Sequence, residues 1–137
     1  MANSLKWKTT PEVLIADDSI VNRKIMESLL QKCGCSVKAA VDGKQALEQF
    51  ASSSMDLIFM DVNMPGMDGL ETTARIRELE KQRHPPIHTP IIALTAGIMP
   101  EELRKCYEAG MDEIIAKPVS TENLSSVFKN KLSHLLE

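Results

Sequence analysis

The sequence contains no apolar run approaching the roughly 18 residues of a membrane span, and its opening MANSLKWKTT lacks the apolar core of a secretory signal peptide. Both absences point to a cytoplasmic chain with no membrane partner. An excess of positive charge is missing as well: 16 Lys and Arg stand against 19 Asp and Glu, for a formal net charge of −3, and the basic residues are scattered. That leaves no electrostatic footprint for direct nucleic-acid contact, so the expected partners are proteins or small ions. Cys33, Cys35 and Cys106 are odd in number and unlike a disulfide framework, which agrees with a reducing compartment. Cys33 and Cys35 would need further metal ligands that the spacing does not supply, so ordinary thiols are expected. There is no internal repeat and no low-complexity tract. A length of 137 residues suits one domain that buries roughly two thirds of its extended-chain surface. Residues 1–10 are polar and without period, which reads as a disordered lead-in or an appended remnant, with one domain over 11–137.

What is present is organised around MDLIFMDVNMPGMDGL, residues 55–70. Leu57, Ile58, Phe59 and Met60 form an apolar run without polar alternation, as in a strand covered on both faces of a parallel sheet. Asp61 follows at once, and Pro65, Gly66, Asp68 and Gly69 force an irregular loop behind it. Taken alone, Asp61 reads as a turn residue. The rest of the chain changes that reading.

Val13 to Ala16 is a second apolar run ending in acid, the pair Asp17 and Asp18. Ser19 caps a helix with Val21, Ile25, Met26, Leu29 and Leu30 at spacings of three to four, closed by Gly34. Residues 36–41 form a strand, and Ala46, Leu47 and Phe50 mark a second helix. Asp68 with Glu71 resembles a capping box for a third helix over 69–80. In KQRHPPIHTP the prolines forbid a helix, so His84 and His88 are expected as solvated loop residues rather than ligands. Ile91 to Leu94 is a fourth strand ending in Thr95. A fourth helix follows, with Leu103, Cys106 and Tyr107 inward and Gly110 past its end. Residues 113–116 form a fifth strand ending in Lys117 and Pro118. The last helix starts at Thr121, with Leu124, Val127, Phe128, Leu132, Leu135 and Leu136 as its stripe.

This alternation predicts an α/β sandwich, with a parallel five-stranded sheet and right-handed crossovers. Every strand's carboxyl end then opens on one edge, where Asp17, Asp18, Asp61, Thr95 and Lys117 converge. Carboxylates in contact repel by about 4 kcal/mol per pair at an effective dielectric of 20, so the site must hold protons or bind a cation. Hard oxygen donors point to Mg2+, which favours partial protein coordination completed by a phosphoryl group. A lysine and a threonine opposite it suit a transferring phosphoryl, with Asp61 as nucleophile.

With Asp17-Asp18, the segment from Asp61 to Gly69, Thr95-Ala96 and Lys117-Pro118 in place, the chain resembles a response regulator receiver domain of two-component phosphorelay signalling. It resembles most the receivers of hybrid histidine kinases. The resemblance implies a flavodoxin-like doubly wound (βα)5 fold of sheet order 2-1-3-4-5. It also implies phosphoryl transfer to Asp61 from the phosphohistidine of a histidine kinase or histidine phosphotransfer protein. By the same resemblance, Asp18 and Asp61 ligate magnesium, Asp17 helps through water, the backbone carbonyl of Asn63 completes the set, and Thr95 and Lys117 contact the phosphoryl oxygens. Such a domain is a signalling phosphoacceptor that catalyses only its own phosphorylation and dephosphorylation. One position departs from the family: Ile114 stands where an aromatic switch residue is common, so the response is expected in the loop from Thr95 to Met99. The alternative is an aspartate-nucleophile phosphatase of the haloacid dehalogenase type, but position 63 is Asn where that class has a second Asp, and no residues remain for a cap. A flavin carrier would want a phosphate loop where this chain has acids, and Met60, Met64 and Met67 read as core filler rather than copper ligands.

Overall fold

The computed structural model describes residues 5–137, so the first four positions of the expected lead-in lie outside the described residues. Strands β1 (Glu12–Ala16), β2 (Ser36–Ala40), β3 (Leu57–Asp61), β4 (Ile91–Thr95) and β5 (Glu113–Ala116) alternate with five helices. These are α1 (Ile20–Lys32), α2 (Gly43–Ser52), α3 (Gly69–Lys81), α4 (Pro100–Ala109) and α5 (Thr121–Lys131). All strand pairs are parallel, in the order β2-β1-β3-β4-β5. This is the doubly wound arrangement expected from the sequence. Among the described residues, no helix is long and apolar enough to cross a membrane.

The apolar runs lack alternation because both sheet faces are covered. Val13, Ile15, Leu57 and Phe59 enter a core completed by α1 and α5, through Met26, Leu30, Leu124 and Phe128. Their neighbours Leu14, Ile58 and Met60 enter the opposite core, with Phe50 of α2, Ile76 of α3 and Cys106 of α4. Each fully buried side chain of this size contributes roughly 1.5 to 3 kcal/mol, so the central strands fix the register that places the residues following them. The cysteines are free and buried. Met60 and Met64 are core residues, and the proline segment forms no helix, with His84 and His88 exposed.

Five local expectations are corrected. Residues 5–10 are not loose: the Trp7 indole donates to the Cys33 carbonyl at 2.7 Å, and its ring meets Phe128 edge-on at 5.2 Å between centroids. Leu5 and Trp7 supply apolar surface to the α1 and α5 side, which a polar reading of the segment overlooks. The last helix stops at Lys131, because Leu135 and Leu136 turn to pair with this N-terminal segment: Lys8 N donates to Leu135 O at 2.7 Å and Glu137 N to Lys6 O at 3.0 Å. Tyr107 is exposed, leaving Cys106 to anchor α4. On α1 the apolar stripe is wider than the sheet it covers, so Met26 and Leu30 are buried while Val21 and Ile25 face outward. The box at α3 is half formed: Asp68 accepts from Glu71 N at 2.8 Å, but the Glu71 carboxylate pairs with Arg75 at 3.1 Å.

Candidate functional site

Three strand ends build the site. Asp17 continues β1 by one residue, its N–H donating to Ala40 O at 3.1 Å, and its side chain is 1% exposed. Asp61 closes β3 at 4% exposure. Lys117 leaves β5 with its N–H on Thr95 O at 2.8 Å, which aligns it with the end of β4. From there its Nζ lies 3.3 Å from Asp17 Oδ2 and 3.4 Å from Asp61 Oδ2. Asp18 is exposed at the rim, and one oxygen from each of Asp17, Asp18 and Asp61 lies within 4.8 Å of the others.

The loop after β3 returns over its own strand end because of Gly69. A Cβ on Gly69 would stand 2.2 Å from Asp61 O, and the Gly69 N–H bonds Val62 O at 3.0 Å. No other residue permits that approach. Val62 and Met64 are buried, which leaves Asn63 exposed beside the acid, its N–H donating to Asp61 Oδ1 at 3.2 Å.

Burial first, and then the charge of Asp17, push the Asp61 carboxyl up to about 6, while Lys117 and the Asn63 N–H pull it down. The acids therefore outnumber the cation available to them. Asp17 Oδ1 accepts from Ser19 N at 2.9 Å, whereas Asp17 Oδ2 is buried without a hydrogen-bond donor. Its contact with Lys117 is a charge contact that lacks hydrogen-bond geometry. A buried oxygen that can only accept is costly when unpaired. Together with two neighbouring carboxylates it makes a donor set that suits a hard divalent cation.

Asp17, Asp18, Asp61 and Lys117 thus come together as the sequence suggests, with Asn63 alongside. Thr95 is placed at the same edge but directed elsewhere. Its hydroxyl lies 2.6 Å from Glu102 Oε1 of α4 and 2.9 Å from Gly97 O. Glu102 is the site neighbour that the sequence did not signal, since an acid in a helix's first turn needs no partner to be explained. Ile114 is partly buried against the α2, α3 and α4 side of the sheet.

Known proteins resemble this chain over most of its length. Residues 13–129 match the response regulator receiver domain family. The chain is 38% identical over 125 residues to hybrid signal transduction histidine kinase L of Dictyostelium discoideum, covering 89% of this chain but 7% of that protein, so it spans a small part of such relatives. Its fold is similar to the receiver domain of a sensor histidine kinase from Pseudomonas aeruginosa, solved with a magnesium ion in the active-site cleft. There the TM-score is 0.81 at 32% identity, over 91% of this chain and 99% of the other. It is also similar to the receiver domain of Ssk1, solved with the histidine phosphotransfer protein Ypd1 of Saccharomyces cerevisiae. That TM-score is 0.83 at 32% identity, over 94% of this chain and 95% of the other.

Proposed function

Because the chain belongs to the response regulator receiver domain family, we propose that Asp61 is its phosphoacceptor, taking a phosphoryl group from the phosphohistidine of a histidine kinase or phosphotransfer protein. The observation that carries this reading is a buried Asp61 set 3.4 Å from Lys117 Nζ and grouped with Asp17 and Asp18. In the reaction an Asp61 oxygen attacks phosphorus, forming an O–P bond as the P–N bond to imidazole breaks. The leaving imidazole keeps the electron pair and takes its proton from water. At neutral pH the raised carboxyl is still mostly ionised, so the nucleophile needs no separate base. Lys117 offsets negative charge on the phosphoryl oxygens. The residues to hold magnesium are Asp18, Asp61 and the Asn63 carbonyl, with Asp17 acting through water. When bound, the ion supplies positive charge beside the phosphoryl oxygens.

Beside the site, α1 presents Ile20, Val21 and Ile25, which are 58%, 62% and 53% exposed, on a face a histidine-bearing partner can use. Ile25 and Met26 also line a cleft with Asp17, Lys117 and Val119, so the apolar patch is continuous with the site. We read this face as the partner's docking surface. The domain acts in the cytoplasm and passes its signal on by a conformational shift or by relaying the phosphoryl group. The phosphatase alternative gains nothing from the geometry, since Asn63 offers no second acid.

Acetyl phosphate with magnesium tests the assignment. Intact mass should show one phosphoryl group, labile to hydroxylamine and absent from Asp61→Ala. Label of the same lability in Asp61→Ala would refute it.

A further inference from the structure

Thr95 is 2% exposed and its hydroxyl has a single proton to give. Two acceptors compete for it, the Gly97 carbonyl at 2.9 Å and the Glu102 carboxylate at 2.6 Å. The charged and closer oxygen takes it, because charge-assisted bonds are shorter and about twice as strong as neutral ones. Glu102 is half-buried in the first turn of α4, and the N-cap residue Met99 contributes no side-chain bond of its own. The Thr95 to Glu102 bond therefore ties the end of β4 to the start of α4 across the exposed stretch from Ala96 to Met99. Among the described residues, nothing ties the hydroxyl to Asp61.

We propose that Glu102 is a positioning residue that holds the Thr95 hydroxyl away from the phosphoacceptor, so that capture of Thr95 by a phosphoryl group must break this bond and free the first turn of α4. The inference rests on Asp61 being the acceptor. A single proton cannot serve Glu102 and a phosphoryl oxygen together, so each contact excludes the other. Glu102 then lowers the apparent affinity of the acceptor site for any group that needs Thr95, by the fraction of chains in which the hydroxyl is held. Glu101 in the same turn is a natural control, since its carboxylate faces Arg104 at 3.3 Å.

The probe is beryllofluoride with magnesium, which stands in for the phosphoryl group, titrated by amide chemical shifts. Glu102→Ala should tighten half-saturation by roughly tenfold or more, the span expected for losing one charge-assisted bond, and Glu102→Gln by less. Before any addition, the Gly97 and Ile98 amides of Glu102→Ala should already be displaced in the direction that beryllofluoride moves them in the unaltered chain. Glu101→Ala should leave half-saturation unchanged. In a Thr95→Ala background the effect of Glu102→Ala should vanish. Equal half-saturation in Glu102→Ala and the unaltered chain would overturn the proposal, as would the same tightening without Thr95. An unaltered chain that takes neither beryllofluoride nor acetyl phosphate label would instead overturn the phosphoacceptor reading.

Discussion

Replacing Asp61 by Asn should make the metal-free protein more stable, although Asp61 is the proposed phosphoacceptor. The carboxyl is raised from 3.8 to about 6 in the folded chain, which means the native state binds its proton more tightly than the unfolded state. Stability from this group is therefore full below about pH 3.8 and is lost as pH rises through about 6. About two pK units at 1.36 kcal/mol each puts the cost of ionising Asp61 at about 3 kcal/mol by pH 7.5. At pH 5 the native carboxyl is still mostly protonated, and the same linkage gives about 1.6 kcal/mol. Asp61→Asn removes the charge and keeps an acceptor for the Asn63 N–H, so most of that cost should be recovered. Urea unfolding in chelator should show a midpoint raised by about 1 M or more at pH 7.5, taking an m-value of about 2 kcal/mol per M. The gain should be about half as large at pH 5. A variant no more stable than the unaltered chain at pH 7.5, or one whose gain ignores pH, would refute the charge argument.

Asp18→Ala should weaken magnesium binding by roughly tenfold, since one close charge contact exceeds the 1.4 kcal/mol of a decade even at an effective dielectric of 20. Asp18 is exposed, so the fold should persist, and unchanged affinity by calorimetric titration would remove it from the ligand set. Val21→Glu, on the outward face of α1, should slow loading from a phosphorylated histidine phosphotransfer domain by tenfold or thereabouts while loading from acetyl phosphate is unaltered. Equal slowing with both donors would place Val21 in the chemistry rather than in docking.

The order of the elements was legible because the central strands are buried on both faces, which writes Leu57 to Met60 and Ile91 to Leu94 as unbroken apolar runs. Caps were legible for a similar local reason, as Ser19 and Asp68 accept from residues three positions on. Partners far apart in sequence were not. Trp7 packs on Phe128 and bonds Cys33, and nothing local distinguishes that tryptophan from one in a loose leader. Helical spacing likewise grouped Val21 and Ile25 with Met26 and Leu30, but spacing sets a stripe and only the position of the sheet decides how much of it is covered.

The site divides along the same line. Asp17, Asp18, Asp61 and Lys117 could be gathered from sequence because each directly follows a strand, and the topology carries strand ends to one edge. The direction of the Thr95 hydroxyl could not, because it depends on Glu102, seven positions on and across a helix start. In the proposal above, that direction sets how a phosphoryl group would be felt. The acids already exceed their cation, so added negative charge at Asp61 raises the demand for every available donor, and Thr95 is the nearby donor committed elsewhere. Ile114 has neither ring nor hydroxyl and is partly buried against the core, so it cannot compete for a hydrogen bond as Thr95 does. In the proposed reading the response is the difference between two bonds of one hydroxyl, to Glu102 or to the phosphoryl group, and a ligand shifts a two-state balance only by such a difference. The segment from Ala96 to Met99, held at one end by β4 and at the other by this bond, is the part of the fold free to report it.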